Sequence, residues 1–262
     1  MRPSSSGKKH KMRAFTAFTA VLLAVGCASH SPTTTAPIPA IHRIAFVPPT
    51  ELHWVTFENA APPLGYPFQF WVNKIDSHSK SFRFNQAVEP GKLALAASIT
   101  EAVKQQLRER GFEVEVLEDV KRPADNPDNI DDDYVASHVD ADAVLHIWID
   151  EVGMYSGQLS DKYVPRINIR GKLWTKSRED SLYSDEVDYG VDARKGKSWA
   201  IFADERYRWS SFDELMSNME DVRAAYKTGT RLAAIKMADQ VAASVASSAS
   251  TPSDPTRAAA NK

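Results

Sequence analysis

The run Ala143-Val144-Leu145-His146-Ile147-Trp148-Ile149 constrains the fold more than any other segment of this chain. Seven residues that are apolar on both faces of an extended chain need neighbours on either side and cover above and below. That is the pattern of a central strand in a layered domain. The elements around it alternate. Arg43-Ile44-Ala45-Phe46-Val47, stopped by Pro48-Pro49, reads as a short buried strand. Over 92–110 the residues Leu95, Ile99, Val103 and Leu107 form one apolar stripe, Glu101, Lys104, Gln105 and Arg108 face away, and Gly111 ends the helix. Phe112, Val114 and Val116 alternate with Glu113 and Glu115 as a half-buried strand.

A hairpin follows the central run. Ile167, Ile169, Gly171 and Leu173 share a face that meets Tyr183, Val187 and Tyr189, and pairing Leu173 with Tyr183 sets Arg170 opposite Glu186. Ser211-Phe212-Asp213-Glu214 has the form of a capping box. Leu215, Met219, Val222 and Tyr226 continue its stripe, and Gly229 is expected to kink or split the helix before Leu232, Ile235, Ala238 and Val241 resume it. The expected order is β-α-β-(α)-β-β-β-α, an α/β two-layer sandwich with a mixed sheet.

Two aromatic-rich insertions exceed this scheme. Residues 50–90 hold Trp54, Phe57, Tyr66, Phe68, Phe70, Trp71, Phe82 and Phe84 among prolines, and residues 192–210 hold Trp199, Phe202, Tyr207 and Trp209. Long loops of this kind bind a partner or cover the sheet as a satellite core. For binding, the candidates are Trp54, Phe57, Tyr66, Phe70 and Trp71.

The amino terminus has its own logic. A basic stretch, Lys8-Lys9-His10-Lys11-Met12-Arg13, precedes 13 uncharged residues, too few for the roughly 20 that span a bilayer as helix. The stretch closes on Leu22-Leu23-Ala24-Val25-Gly26-Cys27, with the only thiol of the chain after the small residues. This resembles the lipobox of bacterial lipoproteins, with Ala24 where that family usually has Leu. The resemblance implies acylation of Cys27 and removal of residues 1–26. Ala28 in place of Asp implies the inner leaflet of the outer membrane, with the body facing the periplasm. Several acyl chains, at about 0.8 kcal/mol per buried methylene, would make such an anchor permanent. Residues 27–40 then form a Ser/Thr/Pro-rich disordered tether, 41–246 a single domain and 247–262 a disordered tail.

Charge and composition narrow the function. The formal net charge is -2, but residues 1–26 hold five Lys and Arg and no acid, so the remainder carries 27 basic against 34 acidic groups. Such a body lacks the footprint of a nucleic-acid binder. One Cys excludes an intrachain disulfide and a Cys-rich zinc site. No nucleophile elbow, phosphate-binding Gly-rich loop or His-Glu-x-x-His motif is present, so neither an enzyme nor a cofactor is expected, and no metal site is assigned. Dispersed triads stay open at His53, His78 and His138, while His146 reads as a hydrogen-bonded core histidine. The acidic stretch 125–133 offers oxygen ligands for Ca²⁺ but lacks EF-hand order, and a solvated loop capping a short helix explains it equally.

Ile44-Ala45-Phe46-Val47-Pro48-Pro49, helix 92–110, Asp140-Ala141-Asp142-Ala143-Val144-Leu145 and the hairpin Arg170-Gly171-Lys172-Leu173-Trp174 to Tyr183-Ser184-Asp185-Glu186 together carry a resemblance. They resemble small periplasmic α/β lipoproteins grouped with the peptidoglycan-synthase activator lipoproteins. The curli secretion-pore lipoprotein and the amino-terminal domain of the Tol–Pal β-propeller protein belong to the same group. The resemblance implies a non-enzymatic accessory module that binds an envelope protein or the peptidoglycan machinery. Its alternatives are a homo-oligomeric export component and a periplasmic hydrolase with a dispersed site.

Overall fold

The structure is a computed structural model that describes residues 40–59, 67–156, 162–176 and 181–250; for 59, 67–77 and 250 the backbone alone is described. Cys27, the signal and tether residues 1–39, Tyr66 and residues 251–262 lie outside the described residues, as do the side chains of Phe70 and Trp71.

The strands are β1 (Arg43–Val47), β2 (Thr56–Asn59), β3 (Glu113–Val116), β4 (Ala143–Ser156), β5 (Tyr163–Trp174), β6 (Tyr183–Gly190) and β7 (Ala200–Ile201). They form one mixed sheet in the order β3-β1-β4-β5-β6-β7, with β2 also paired to β4. The run singled out in the sequence is the first half of β4, which lies between β1 and β5. β1 pairs in parallel with Ala143 to His146 and β2 in parallel with Gly153 to Ser156, so the two share one side of the same long strand. A β-bulge between Ile149 and Glu151 interrupts the β4–β5 ladder.

The helices are α1 (Pro67–Val88), α2 (Pro90–Leu93), α3 (Leu95–Glu109), α4 (Asp132–His138), α5 (Phe212–Ser217) and α6 (Met219–Ser250). One face of the sheet packs on α3 and α6. There Leu95, Ile99, Val103 and Leu107 meet Ile44, Phe46, Leu145, Ile147 and Leu173 in the main core. On the other face a smaller cluster, Ala45, Val47, Val144 and Trp174, is covered by Ile130, Val135 and Ala136 of α4 and the loop before it.

The α/β two-layer reading and the mixed sheet hold, and the hairpin register is the expected one, with Leu173 opposite Tyr183 and Arg170 opposite Glu186. Four details differ. The stretch 50–90 contains β2 and the 22-residue α1, with Pro67 at a first helical position that tolerates it. The predicted helix 92–110 is split, because Ala94 at φ 50 breaks it into α2 and α3. The break in the carboxy-terminal helices falls at Asn218, while α6 runs unbroken through Gly229. A Cβ on Gly229 would lie 2.5 Å from the Tyr189 ring and 2.6 Å from Ile167, so this glycine lets helix and sheet approach closely. Finally, α6 continues to Ser250, past the expected start of the tail at 247.

Candidate functional site

Strand alternation sorts the side chains of β4, β5 and β6. Ile147, Ile167, Ile169, Leu173, Val187 and Tyr189 point into the main core, and the residues between them form an outer face of different character. That face carries His146 and Trp148 on β4, Arg166, Asn168, Arg170 and Lys172 on β5, and Ser184, Glu186 and Asp188 on β6. Its cations are paired. Arg166 donates to Glu151 at 2.9 Å and to Asp192 at 3.2 Å and stacks over Tyr155. Arg170 reaches Asp150 at 3.2 Å and Glu186 at 3.6 Å, and Lys172 bonds Asp132.

Where the acidic loop folds over β4 and β5, it encloses a cleft of about 440 Å³ lined by Asp128, Asn129, Asp132, His146, Trp148 and Lys172, among others. The loop is held by Arg122, which donates to the carbonyls of Pro48 and Pro127. Thr50 donates to Asp128 at 3.2 Å, and Asp131 caps α4 by accepting from the Tyr134 amide at 2.9 Å. Capping thus accounts for one of the acidic residues. Among the described residues no group of three or more His, Cys, Asp or Glu is placed to hold a metal ion.

His146 is the deepest polar group of the cleft. It is 3% exposed, and its Nε2 has no hydrogen-bond partner, so the core position is as expected but the expected hydrogen bond is missing at that atom. Burial, reinforced by the positive charges of Arg122 and Lys172, pushes its pKa down to about 4. The ring is therefore neutral at pH 7. Burial likewise raises the pKa of Asp128, against the pull of Thr50 and Arg122. A second hollow of about 300 Å³ lies on the far side of Trp148, beside Arg170, Ser184 and Glu186.

Of the residues proposed from the aromatic insertion, the side chains of Trp54 and Phe57 are described. Trp54 is 52% exposed. Phe57 belongs to the core, with ring centroids 5.3–5.4 Å from Phe84, Tyr163 and Phe212. Inward alternation in β2 withdraws it from any docking surface. In the second insertion Tyr207 and Trp209 are buried, and Phe202 is exposed.

Among the described residues, a Ser–His contact forms at one of the candidate histidines. Ser137 Oγ lies 3.0 Å from His138 Nδ1, but both groups also reach the carbonyl of Tyr134, at 2.9 and 2.8 Å. A carbonyl only accepts, so each directs its proton there, and a protonated Nδ1 cannot take the serine proton. The contact finishes α4 rather than activating a nucleophile.

The cleft residues were missed as a set. His146 and the acidic stretch 125–133 each stand out in the sequence, yet nothing in their spacing shows that the loop folds back over the strand. Lys172 and Trp148, which complete the cleft, read as ordinary strand residues.

No protein-family model matches the chain, and no curated protein matches it in sequence. Solved structures to which the chain shows some similarity include protein XCC0632 of Xanthomonas campestris, assigned to DUF330. It is 11% identical, covers 84% of this chain and 94% of its own, and has a TM-score of 0.44. Lipoprotein GNA1162 of Neisseria meningitidis is 14% identical over 59% of this chain and 88% of its own, with a TM-score of 0.30. Protein CT253 of Chlamydia trachomatis is 13% identical over 78% and 99%, with a TM-score of 0.33. These likenesses, with TM-scores below 0.5, carry no argument about fold or function, and they do not include the relatives named from the sequence motifs. No helix among the described residues is long and apolar enough to cross a membrane.

Proposed function

We propose that the chain is a lipoprotein anchored in the outer membrane through Cys27, whose α/β domain binds another component of the cell envelope without catalysing a reaction. The observation that carries this reading is a lipobox-like run, ending Val25-Gly26-Cys27, in front of a domain whose outer sheet face is polar and pitted. The cleft favours binding over hydrolysis. Its histidine, with a pKa near 4, is a weak base, and the Ser137–His138 pair, which does not line the cleft, sends its protons to backbone. Trp54 is the exposed aromatic offered for protein docking.

Labelling growing cells with an alkyne analogue of palmitate tests the anchor. Label on the wild type, none on Cys27→Ser, and release of that variant from the membrane fraction are expected. Equal labelling of both, or unchanged fractionation, would contradict the reading.

A further inference from the structure

We infer that the free edge of β3, with the cleft at its end, takes an extended peptide of a partner protein as an added strand, one in which Lys or Arg alternates with apolar residues. This surface needs neither Cys27 nor Trp54.

The backbone leaves the edge open. β3 is the outermost strand, and among the described residues only β1 pairs with it. Glu113 and Leu117 donate their amides to the carbonyls of His42 and Phe46 at 2.8 Å. Alternation along a parallel ladder then turns the backbone groups of Val114 and Val116 away from β1. The Val114 carbonyl accepts from Arg108 at 3.0 Å, which leaves the Val114 amide and both backbone groups of Val116 for an incoming strand.

The side chains select what that strand carries. Val114 and Val116 lie against the main core, so Glu113 and Glu115 project on the opposite face, and Glu118 and Asp119 continue the acidic run. Among the described residues none of these four exposed carboxylates is in an ion pair. Of the cations beside them, Arg43 bonds Asp140 at 2.9 Å and Arg108 bonds the Val114 carbonyl, which leaves Lys121 against four acids. A strand laid along β3 therefore meets carboxylates on one face and valines on the other, and basic and aliphatic residues in alternation make the favourable cross-strand pairs. A second copy of β3 would set Glu opposite Glu in any register that keeps the valines together, so the edge is not built for its own kind.

At its carboxy-terminal end β3 runs into a cleft of about 370 Å³, lined by Glu115, Leu117, Val120, Tyr134 and Val139 among others. A second hollow, of about 550 Å³, shares Tyr134 and Val135 with it. Tyr134 is 54% exposed and stacks on His138 with ring centroids 4.0 Å apart. A large ring is thus held at the surface, where it can receive an apolar residue next to the added strand.

Fluorescently labelled Lys-Val-Lys-Val-Lys-Val and Glu-Val-Glu-Val-Glu-Val peptides test the edge on the full chain in detergent, by anisotropy and by amide exchange. Saturable binding of the lysine peptide, weakened by salt and slowing exchange at the Val114 and Val116 amides, is expected, with no binding of the glutamate peptide. Replacing both exposed acids, Glu113→Lys with Glu115→Lys, should weaken the lysine peptide about tenfold and admit the glutamate peptide. Val116→Pro removes an outward amide without taking a bond from β1 and should weaken the lysine peptide as well. Should Val116→Pro not fold, the charge reversal still decides. No saturable binding, equal binding of the two peptides, binding unchanged by the charge reversal, or binding without slower exchange at Val114 and Val116 would overturn the edge. These readouts involve neither palmitate labelling nor position 54, so the anchor, the docking residue and the edge can fail separately.

Discussion

His146 on β4 and Asp188 on β6 share the outer face of the sheet and respond to acid in opposite senses. The pKa of His146 is held near 4, below its ordinary 6.5, so the unfolded chain binds the proton first. Its contribution is intact above pH 6.5 and is lost as pH falls toward 4. Asp188 is pushed up to about 6, by burial first and then by Glu186, Asp192 and Asp150, with Arg170 opposing. The folded state therefore holds the Asp188 proton more tightly, and stability from this residue falls as pH rises from about 4 to 6. The two slopes offset each other in the wild type. Asp188→Asn is expected to raise stability at pH 7–8 by about 1–2 kcal/mol and to unmask the His146 slope. Conversely, His146→Phe removes an unpartnered buried nitrogen and should leave stability at pH 7 within about 1 kcal/mol of wild type while unmasking the Asp188 slope. Urea unfolding at pH 4.5, 6 and 7.5 reads both. Parallel pH profiles for the two variants would contradict the assignment.

Among the elements, α6 lies tight against the hairpin. Gly229 faces the rigid Tyr189 ring and Ile167, whereas a Cβ on Gly171 would meet the Met237 sulfur at 2.8 Å, a flexible neighbour that can yield. Gly229→Ala should therefore cost about 1–3 kcal/mol, and Gly171→Ala clearly less, by thermal or urea unfolding. Loss of the cap in Asp131→Ala should cost about 1 kcal/mol and loosen the loop over the cleft, seen as faster amide exchange in α4. The hairpin was legible because inward Leu173 and Tyr183 and outward Arg170 and Glu186 agree on one register, and a slip by one would bury the charges. The helix stripe Leu95, Ile99, Val103, Leu107 was legible for the same reason. In contrast, β2 is four residues long, too short for alternation to register. The aromatics of α1 follow no single stripe, and its anchor is long-range: Asn85 bonds both the amide and the carbonyl of Val55 at 2.9 Å. At Gly229 propensity suggested a break, but the tight contact with Tyr189 overrode it.

For the molecule as a whole, the sequence separates address from activity. The proposed address rests on a contiguous motif, Leu22 to Cys27, readable without a fold. The cleft joins Asp128, His146 and Lys172 through a mixed sheet and a folded-back loop, so each residue was visible and their meeting was not. The proposed docking surface changes in the same way, because Phe57 turns inward and Trp54 remains exposed. Trp54→Ala should accordingly leave the unfolding midpoint almost unchanged while reducing recovery of an envelope partner. The most direct measurement is in-cell photocrosslinking with benzoylphenylalanine at position 54, in otherwise wild-type and Cys27→Ser chains, followed by mass spectrometry of the adducts. A distinct envelope component trapped by the anchored chain and lost with Cys27→Ser is the expected result. No adduct, adducts only with the chain itself, or the same adducts without Cys27 would contradict an anchored binding module.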